Sequence, residues 1–202
     1  MLSKIEVKNL IASRVNYINE FVTGYSQDEI FVTTSLNKES MVLLYLLEEA
    51  GLVLNTYFVK TGLSIGNIDE NIDKFQDTFS HKLKVVDSTD ICSDLLKGRV
   101  FLDIDEQERK SICKILKKDS LMKALENSRY KMWINGTRMA ETEARKTMKA
   151  VSFKDNYLKF SPTFTLNNTE LFYVLKVLNF RLFSDLEDLC KHNSQKECGL
   201  HL

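Results

Sequence analysis

The sequence predicts an α/β fold: a mostly parallel, twisted sheet with helices on both of its faces. Segments rich in β-forming residues alternate with helical segments through the first half of the chain. Consecutive parallel strands must be joined by crossover connections, which are right-handed and place a helix against the sheet. The length of 202 residues suits one domain rather than two independent ones.

The individual elements follow from local patterns of apolar and turn-forming residues. Residues 3–22 predict an amphipathic helix, because Ile, Leu, Val and Phe recur there at helical spacing. A polar turn at 35–40 starts the next helix, which Gly51 ends. Asp155-Asn156 marks the turn of a hairpin. The predicted strands are 29–34, 54–59, 82–86, 130–134, 150–153 and 157–160, and the further predicted helices lie near 67–80, within 87–118, and at 119–128, 168–179 and 183–191.

Charge and cysteine content limit the function classes. The 28 Lys and Arg residues balance 28 Asp and Glu residues, so no net field favours nucleic acid or a membrane surface. No apolar run reaches the ~18 residues that a membrane-spanning helix needs, and the charged start lacks a signal-peptide core. The four cysteines are irregularly spaced, so we expect free thiols in a reducing cytoplasm rather than a disulfide framework. The composition is compatible with a homodimer as well as with a monomer.

Polar loops follow the first two predicted strands, where an open parallel sheet binds its ligands. The loop at 35–40 also opens a helix, whose N–H groups and dipole attract anions. Its Ser35, Asn37, Lys38 and Ser40 add hydroxyl, amide and ammonium donors, which makes the loop a candidate phosphate or sulfate site. An ordinary capped helix, with Ser35 or Asn37 as N-cap, is the alternative explanation of the same residues.

Two further loops leave predicted strands at the same edge. One spans 60–66, and the other, 135–142, follows the strand at 130–134. The second brings Arg138, and Arg145 follows closely. Arginine binds phosphate or sulfate through two parallel hydrogen bonds, so these residues are candidates for anion binding. A solvated surface loop also accounts for them.

The C-terminal tail carries a cysteine in a distinctive setting. Cys198 lies between a glutamate and a glycine, and His201 follows three residues later. A thiolate is a nucleophile, and a neighbouring basic group lowers the pKa of the thiol. The tail therefore predicts a reactive cysteine, with a frayed terminus and an incidental cysteine as the alternative.

At these residues the chain resembles the phosphoadenylyl-sulfate (PAPS) and adenylyl-sulfate reductase family, within the adenine-nucleotide α-hydrolase, or PP-loop, superfamily. Glu197-Cys-Gly-Leu-His201 matches the family's C-terminal ECGLH signature, whose cysteine is the nucleophile. Other segments resemble family motifs in the same order along the chain. They are 34–40 (the PP-loop), 59–62 (the DTG turn), 113–121 (C-x-x-R-K-x-x-P-L), 133–138 (W-I-x-G-x-R) and 159–162 (K-x-x-P).

The resemblance implies a domain plan and a reaction. A helix at 1–28 precedes a PP-loop-type domain at 29–195, and 196–202 form a catalytic tail. Cys198 attacks the sulfur of PAPS, releases adenosine 3′,5′-bisphosphate and becomes an S-sulfonate. Thioredoxin or glutaredoxin then attacks this intermediate and releases sulfite. The implied substrate-binding residues are Ser35, Asn37, Lys38 and Ser40 of the PP-loop, Thr61 and Gly62 of the second loop, and Arg138, Arg145, Lys159 and His201.

The chain departs from the family pattern at several of these positions. Leu36 and Asn37 stand where the PP-loop usually has glycines, and their side chains are expected to crowd a bound anion. Lys60 replaces the aspartate of the DTG turn, Met139 replaces one arginine of a pair, and Ser120 replaces a proline. These changes leave two other functions open: a PP-loop ATP-pyrophosphatase or sulfurtransferase, and a degenerate module that binds a nucleotide or partner without catalysis.

The cysteine spacing predicts that no iron–sulfur cluster is bound. Family members with a [4Fe–4S] cluster use an adjacent cysteine pair and a C-x-x-C motif. Here Cys113 follows Ile112, and Cys190 has no cysteine three residues away. With Cys198 as the nucleophile, three cysteines remain for a cluster that needs four. Within the family, this absence is associated with PAPS as the substrate.

Overall fold

The computed structural model describes residues 2–178 and 186–191, except for the side chains of Lys38 and Lys191. Its strands are β1 (Ile30–Thr33), β2 (Asn55–Lys60), β3 (Ser64–Ile65), β4 (Lys82–Asp87), β5 (Met132–Ile134), β6 (Val151–Lys154), β7 (Tyr157–Phe160) and β8 (Glu187–Asp188). Its α-helices are α1 (Lys4–Val22), α2 (Lys38–Glu49), α3 (Ile68–Thr78), α4 (Thr89–Leu96), α5 (Glu106–Lys114), α6 (Ser120–Leu125) and α7 (Asn168–Leu178). A π-helical segment, Ile115–Asp119, joins α5 directly to α6.

Six strands form the main sheet, in the order β4-β2-β1-β5-β7-β6. The first five are parallel, and β6 runs antiparallel to β7. Side chains of β1 alternate between two cores: Ile30 and Val32 belong to the larger one and Phe31 to the smaller. α1, α2 and α7 pack together over the larger core, whereas α6 packs against β2 and β4 on the opposite face. The predicted mostly parallel sheet with helices on both faces is confirmed.

The predicted strands of the main sheet agree with the observed ones to within two residues at each end. In the hairpin of β6 and β7, Asp155 and Asn156 have φ values of 56° and 66°, the left-handed backbone that a tight two-residue turn requires. The prediction of a helix at 183–191 is wrong, because Glu187–Asp188 is β8 and Leu189–Lys191 is a 3-10 turn. β8 pairs with β3, a short strand that lies inside a predicted loop.

The predicted helices agree with the observed ones elsewhere. The helix predicted at 3–22 is α1, and the one near 67–80 is α3. The segment 87–118 contains α4, a 3-10 helix at Phe101–Asp103, α5 and most of the π-helical segment. The helix predicted at 119–128 is α6, which continues α5 without a break. No described helix is both long enough and apolar enough to cross a bilayer.

A buried histidine connects the start of β4 to the core. His81 is 5% exposed. Its Nδ1 accepts a hydrogen bond from the Leu54 N–H at 3.1 Å, so its Nε2 carries the proton and donates to the Leu44 carbonyl at 3.0 Å. Burial lowers the pKa of His81, because desolvation disfavours the charged ring. The ring is therefore neutral in the folded chain at neutral pH.

We expect the free energy of unfolding to fall as the pH is lowered through about 6.5, the usual pKa of an unfolded histidine. The unfolded chain then binds a proton at His81, whereas the folded chain resists it because its pKa is lowered. Urea unfolding between about pH 5 and about pH 8 measures the effect. His81→Gln keeps a hydrogen-bond donor and an acceptor but does not titrate. The free energy of unfolding of this variant should therefore depend less on pH. If the free energy of unfolding of this variant depends on pH as steeply as that of the unaltered chain, the effect does not come from His81.

Candidate functional site

A cleft opens at the carboxyl ends of β1 and β5, the neighbouring strands at which the strand order reverses. From β1 the chain proceeds outward to β2 and β4, and it then returns to the other side to form β5 and β7. Open parallel sheets bind ligands at such a point, because the loops that leave the two strands diverge. The cleft is partly open to solvent.

Most of the residues that line the cleft are polar, and they come from several parts of the chain. The hydroxyl, amide and cationic groups among them can bind a phosphate or sulfate ester, whereas the three carboxylates, those of Glu39, Glu141 and Asp188, repel an anion. The lining consists of Thr33, Thr34, Ser35, Asn37, Glu39 and Ser40 around the start of α2; Tyr57, Phe58, Val59, Thr61 and Ser64 in and after β2; Asn135, Gly136, Thr137, Glu141 and Arg145 after β5; and Lys117, Leu186 and Asp188.

The loop after β1 is a tight turn held by its own hydroxyl groups. The Ser40 hydroxyl accepts a hydrogen bond from the Ser35 N–H at 3.2 Å, and the two serine hydroxyl oxygens are 2.7 Å apart. The Thr34 hydroxyl accepts a hydrogen bond from the Leu36 N–H at 3.1 Å. Ser35 and Ser40 are therefore held side by side at the start of α2, and both line the cleft.

Leu36 occupies the position of this turn that requires a left-handed backbone. Its φ is 55°, a conformation that costs a residue with a side chain about 1–2 kcal/mol. Its side chain is fully buried in the larger core, which offsets that cost, and it does not line the cleft. Asn71, also fully buried, donates from Nδ2 to the Leu36 carbonyl at 3.2 Å. The expectation that Leu36 crowds a bound anion is therefore wrong.

Asn37 lies at the N-cap position of α2 but makes no capping hydrogen bond with its side chain. Its Oδ1 instead accepts a hydrogen bond from the Leu186 N–H at 3.3 Å. Asn37 thus holds a C-terminal segment of the chain against the cleft. The alternative of an ordinary capped helix is not supported at this residue.

Two buried cations line the cleft. Arg145 is 3% exposed, lies in the 3-10 turn Ala144–Thr147 and pairs with Glu141. Lys117 is 8% exposed, belongs to the π-helical segment and pairs with Asp188. π-helical turns are frequent at functional sites, and this one carries a cation into the lining. Because buried charges are stable only when they are paired, an incoming anion must share or displace these carboxylates.

Arg138 is buried beside the cleft but does not line it. Its guanidinium donates hydrogen bonds to Glu39 Oε1 at 2.9 Å, Asn168 Oδ1 at 3.0 Å and the Leu166 carbonyl at 3.3 Å. These bonds connect the first turn of α2 to the start of α7. Arg138 therefore holds Glu39, which lines the cleft, in position.

Two further residues predicted to bind substrate lie outside the lining of the cleft. Lys159 places its Nζ 4.0 Å from the centre of the Trp133 ring and bonds Asp155 at 3.1 Å. Burial lowers the pKa of Lys159, because its ammonium group loses water. Gly62 has a φ of 76°, and a Cβ added there would meet the Thr89 side chain at 3.4 Å. Gly62 therefore serves the backbone turn after β2.

Residues 186–191 form a segment beside the cleft, which we term the strap. Leu186 and Asp188 line the cleft. The strap is fixed by the antiparallel pairing of β8 with β3 and by the Leu189 N–H, which donates to the Leu63 carbonyl at 3.0 Å. With the Lys117–Asp188 ion pair, these contacts hold the strap against the cleft.

A disulfide also holds the strap. Cys190 of the strap is bonded to Cys113 of α5, with the two Cα atoms 6.0 Å apart. The prediction that the cysteines are free is therefore wrong for this pair. Cys92 is free and buried, and burial raises the pKa of its thiol.

Comparison with known proteins gives the family. A family model of the phosphoadenosine phosphosulfate reductase domain matches residues 29–182, which contain every element from β1 to α7. The chain belongs to this family. A search of the curated proteins finds no match.

Solved structures share the fold of this PAPS reductase family member at low sequence identity. A PAPS reductase from Candida auris, in a phosphate complex, is 10% identical with a TM-score of 0.68, over 93% of this chain and 96% of that one. An NMN synthetase from Francisella tularensis is 13% identical with a TM-score of 0.63, over 89% and 72%. A U34-tRNA thiolase from Methanococcus maripaludis, with its [4Fe–4S] cluster, is 15% identical with a TM-score of 0.66, over 90% and 67%. These identities show the fold alone.

The structure brings together part of the predicted site. Lys38 begins α2, but its side chain is not described. Cys198 and His201 lie outside the described residues. Three predicted residues lie outside the lining, as given above. The predicted residues that share the cleft are Ser35, Asn37, Ser40, Thr61 and Arg145.

Sequence reasoning did not single out Lys117, Asp188 or Glu141. Lys117 lies within the stretch 113–121, which resembles a motif of the PAPS reductase family, so that similarity was an available signal. The spacing of Glu141 and Arg145, four residues apart, is a second signal. Asp188 had no local signal, because its partner Lys117 is 71 residues away in the sequence.

The described cysteines do not fit a cluster held by four thiolates. Across residues 2–178 and 186–191, no group of three or more His, Cys, Asp or Glu side chains is placed to hold a metal ion. Cys113 and Cys190 are bonded to each other, and Cys92 is buried. The absence of a cluster stays a prediction, because Cys198 lies outside the described residues.

Proposed function

We propose that the chain is a reductase that cleaves PAPS to sulfite and adenosine 3′,5′-bisphosphate through an S-sulfonate on Cys198. Thioredoxin or glutaredoxin supplies the electrons, and the reaction takes place in the cytoplasm. Residues 29–195 act as the nucleotide-binding domain, and 196–202 act as the catalytic tail. Membership in the PAPS reductase domain family supports this class of reaction.

The observation that carries the proposal is the course of the strap. The strap lines the cleft at Leu186 and Asp188, and Cys198 follows Asp188 by ten residues in the sequence. Ten residues span at most about 33–36 Å when fully extended. The connectivity of the chain therefore keeps Cys198 within reach of the cleft that Asp188 lines.

The cleft offers the groups that a nucleotide sulfate needs. Ser35 and Ser40 provide hydroxyl groups at the start of α2, and Lys117 and Arg145 provide cations. Phosphate and sulfate oxygens bind such donors, and the guanidinium group of arginine can bind two oxygens at once. These hydroxyl and cationic groups of the lining therefore take the phosphate and sulfonate groups.

Aromatic and apolar residues of the lining suit the base. Tyr57, Phe58 and Val59 of β2 contribute to the lining. Ligand sites combine apolar walls with a few polar groups that fix orientation. The adenine ring therefore packs against side chains of β2, and the hydroxyl and cationic groups of the lining bind the sulfonate and phosphate groups.

The reaction begins when the Cys198 thiolate attacks the sulfur of the bound sulfonate. A sulfur–sulfur bond forms as the bond between sulfur and the phosphate oxygen breaks. Lys117 and Arg145 stabilise the negative charge of the departing nucleotide. His201, three residues further along the tail, is the basic group that favours the thiolate form of Cys198. A thiolate of the reductant then attacks the Cys198 sulfur atom, and sulfite leaves.

Product analysis tests the proposal. The complete chain is incubated with PAPS, thioredoxin and an enzyme that keeps thioredoxin reduced. Sulfite and adenosine 3′,5′-bisphosphate should appear in equal amounts. Release of pyrophosphate from ATP, with PAPS untouched, would instead support an ATP-pyrophosphatase or sulfurtransferase. Absence of both products of PAPS would overturn the proposal.

One observation favours a second function, a module of the same fold that binds a partner or a nucleotide without catalysis. The two buried cations of the described lining already hold carboxylates, Lys117 with Asp188 and Arg145 with Glu141. A highly charged nucleotide must compete with these carboxylates for the cations. Binding of adenosine 3′,5′-bisphosphate in a calorimeter, with no sulfite from PAPS, would support the module.

A further inference from the structure

The strap occupies polar groups of the cleft that a bound anion would use. The Leu186 N–H donates to Asn37 Oδ1 at 3.3 Å, at the start of α2. The Asp188 carboxylate pairs with the Lys117 ammonium group, one of the two buried cations of the described lining. The strap therefore takes up both an amide and a charge on the lining of the cleft.

Asp188 is placed as a competitor of an anionic ligand. The side chains of Lys117 and Asp188 are only 10% and 20% exposed, so their ion pair is largely shielded from water. A carboxylate offers the same kind of charged oxygen acceptor as a phosphate or a sulfate. Because Coulomb attraction is stronger where water is excluded, a nucleotide must displace Asp188 before it can bind Lys117 directly.

The non-covalent contacts of the strap are short-range and few in number. β8 and β3 have two residues each, and a pair of strands this short has little stability by itself. The Leu189 N–H adds one hydrogen bond to the Leu63 carbonyl, and the side chains of Leu189 and Cys190 pack partly against an apolar cluster. A covalent bond therefore has a large effect on whether the strap stays in place.

The disulfide between Cys113 and Cys190 is that covalent bond. Cys113 belongs to α5, which continues directly into the π-helical segment that carries Lys117. The disulfide thus joins the strap to the stretch of chain whose cation Asp188 occupies. Cys190 is half-buried, so an external thiol can reach it more readily than the buried Cys113. Disulfides of reducing compartments are usually transient, with a catalytic or redox-sensing role.

We propose that the Cys113–Cys190 disulfide is a redox latch, which keeps the strap in the cleft and Asp188 on Lys117 and so weakens nucleotide binding. The inference rests on the proposed function for the identity of the ligand. Reduction of the disulfide leaves the strap with its non-covalent contacts alone. A larger fraction of the chains then offers Lys117 to the ligand, and the apparent affinity rises with that fraction.

An external dithiol of the thioredoxin class opens the latch. Its first thiolate attacks the Cys190 sulfur atom, and the disulfide breaks with its electron pair on Cys113, which takes up a proton. The second thiolate of the dithiol then attacks the mixed disulfide and releases Cys190, which is protonated in turn. Two electrons and two protons thus pass to the cysteine pair, and the dithiol becomes a disulfide.

Calorimetry with adenosine 3′,5′-bisphosphate on the complete chain tests the latch. The oxidised chain, with its disulfide verified by peptide mass spectrometry, is compared with the chain reduced by a phosphine. Reduction should lower Kd by roughly three- to tenfold. Cys190→Ser and Cys113→Ser should bind as the reduced chain does, with or without the phosphine. Cys92→Ser is the matched control and should keep the full response, because Cys92 is a free cysteine of the same apolar cluster.

Asp188→Asn shows whether the carboxylate is the competitor. In the oxidised chain this substitution should give most of the gain in affinity that reduction gives. Reduction of the variant should then lower Kd by less than about twofold, because both changes remove the same competitor. A full additional gain on reduction would show that the disulfide does not act through Asp188.

Hydrogen exchange follows the strap without a ligand. Reduction should speed the exchange of the Leu189 N–H but not of the amides of β1 in the core. Equal or tighter nucleotide binding by the oxidised chain, or failure of the disulfide to form, would overturn the latch and leave the proposed function standing. If neither form binds the nucleotide or produces sulfite from PAPS, the proposed function fails and the latch fails with it.

Discussion

Cys198→Ser should lower the rate of sulfite release from PAPS by roughly 10³-fold or more, the scale of loss when a covalent nucleophile is removed. A serine hydroxyl stays protonated at neutral pH and is a far weaker nucleophile than a thiolate. It also provides no sulfur atom at which a thiol of the reductant can attack. Sulfite and adenosine 3′,5′-bisphosphate, measured together under thioredoxin turnover, check this result.

Binding measurements separate chemistry from structure in this variant. The cleft is lined by residues of the sheet, helices and strap, so Cys198→Ser should change the Kd for adenosine 3′,5′-bisphosphate by less than about twofold. Cys92→Ser, at a buried cysteine remote in sequence from the tail, should keep both turnover and binding. Normal turnover in Cys198→Ser would show that Cys198 is not the nucleophile. A loss of binding would instead indicate that the tail shapes the cleft.

The alternation of strands and helices could be predicted because its signals are local. All four residues of β1, Ile30–Thr33, are buried, and the run is rich in β-forming residues. The hairpin turn uses Asp155 and Asn156, residue types that tolerate a positive φ. β3 and β8 could not be predicted in this way, because each has two residues and is defined by a partner far along the chain. A helical pattern over 183–191 therefore gave a wrong prediction.

The site was predictable only where its residues carry a local signal. Ser35 was found because it follows a strand and precedes a helix, which is the setting of many anion sites. The Leu36 side chain lies in the core rather than in the cleft because its backbone is left-handed, a conformation that leucine rarely adopts. Lys117 reaches the cleft from a π-helical segment, which has no simple sequence pattern. Cys113 and Cys190 are 77 residues apart, so only the tertiary fold brings them together.

Lys117→Gln should weaken the binding of adenosine 3′,5′-bisphosphate by roughly 10–100-fold. A hydrogen bond from a charged donor contributes about 1.5–3 kcal/mol, and each 1.4 kcal/mol is about a tenfold change in Kd. Glutamine keeps a polar side chain of similar reach but removes the charge that Lys117 carries into the lining. Isothermal titration calorimetry measures Kd, and urea unfolding of the same sample verifies that the variant is folded.

Asp188→Asn should have the opposite effect on the same ligand. Asp188 pairs with the Lys117 ammonium group and adds a negative charge to the lining of the cleft. Asparagine leaves Lys117 free for the ligand and removes a repulsion, so affinity should rise by roughly three- to tenfold. In the double variant this gain should disappear, because the two residues act through their ion pair. If both single substitutions weaken binding equally, Lys117 and Asp188 hold the strap in place and the anion binds elsewhere in the cleft.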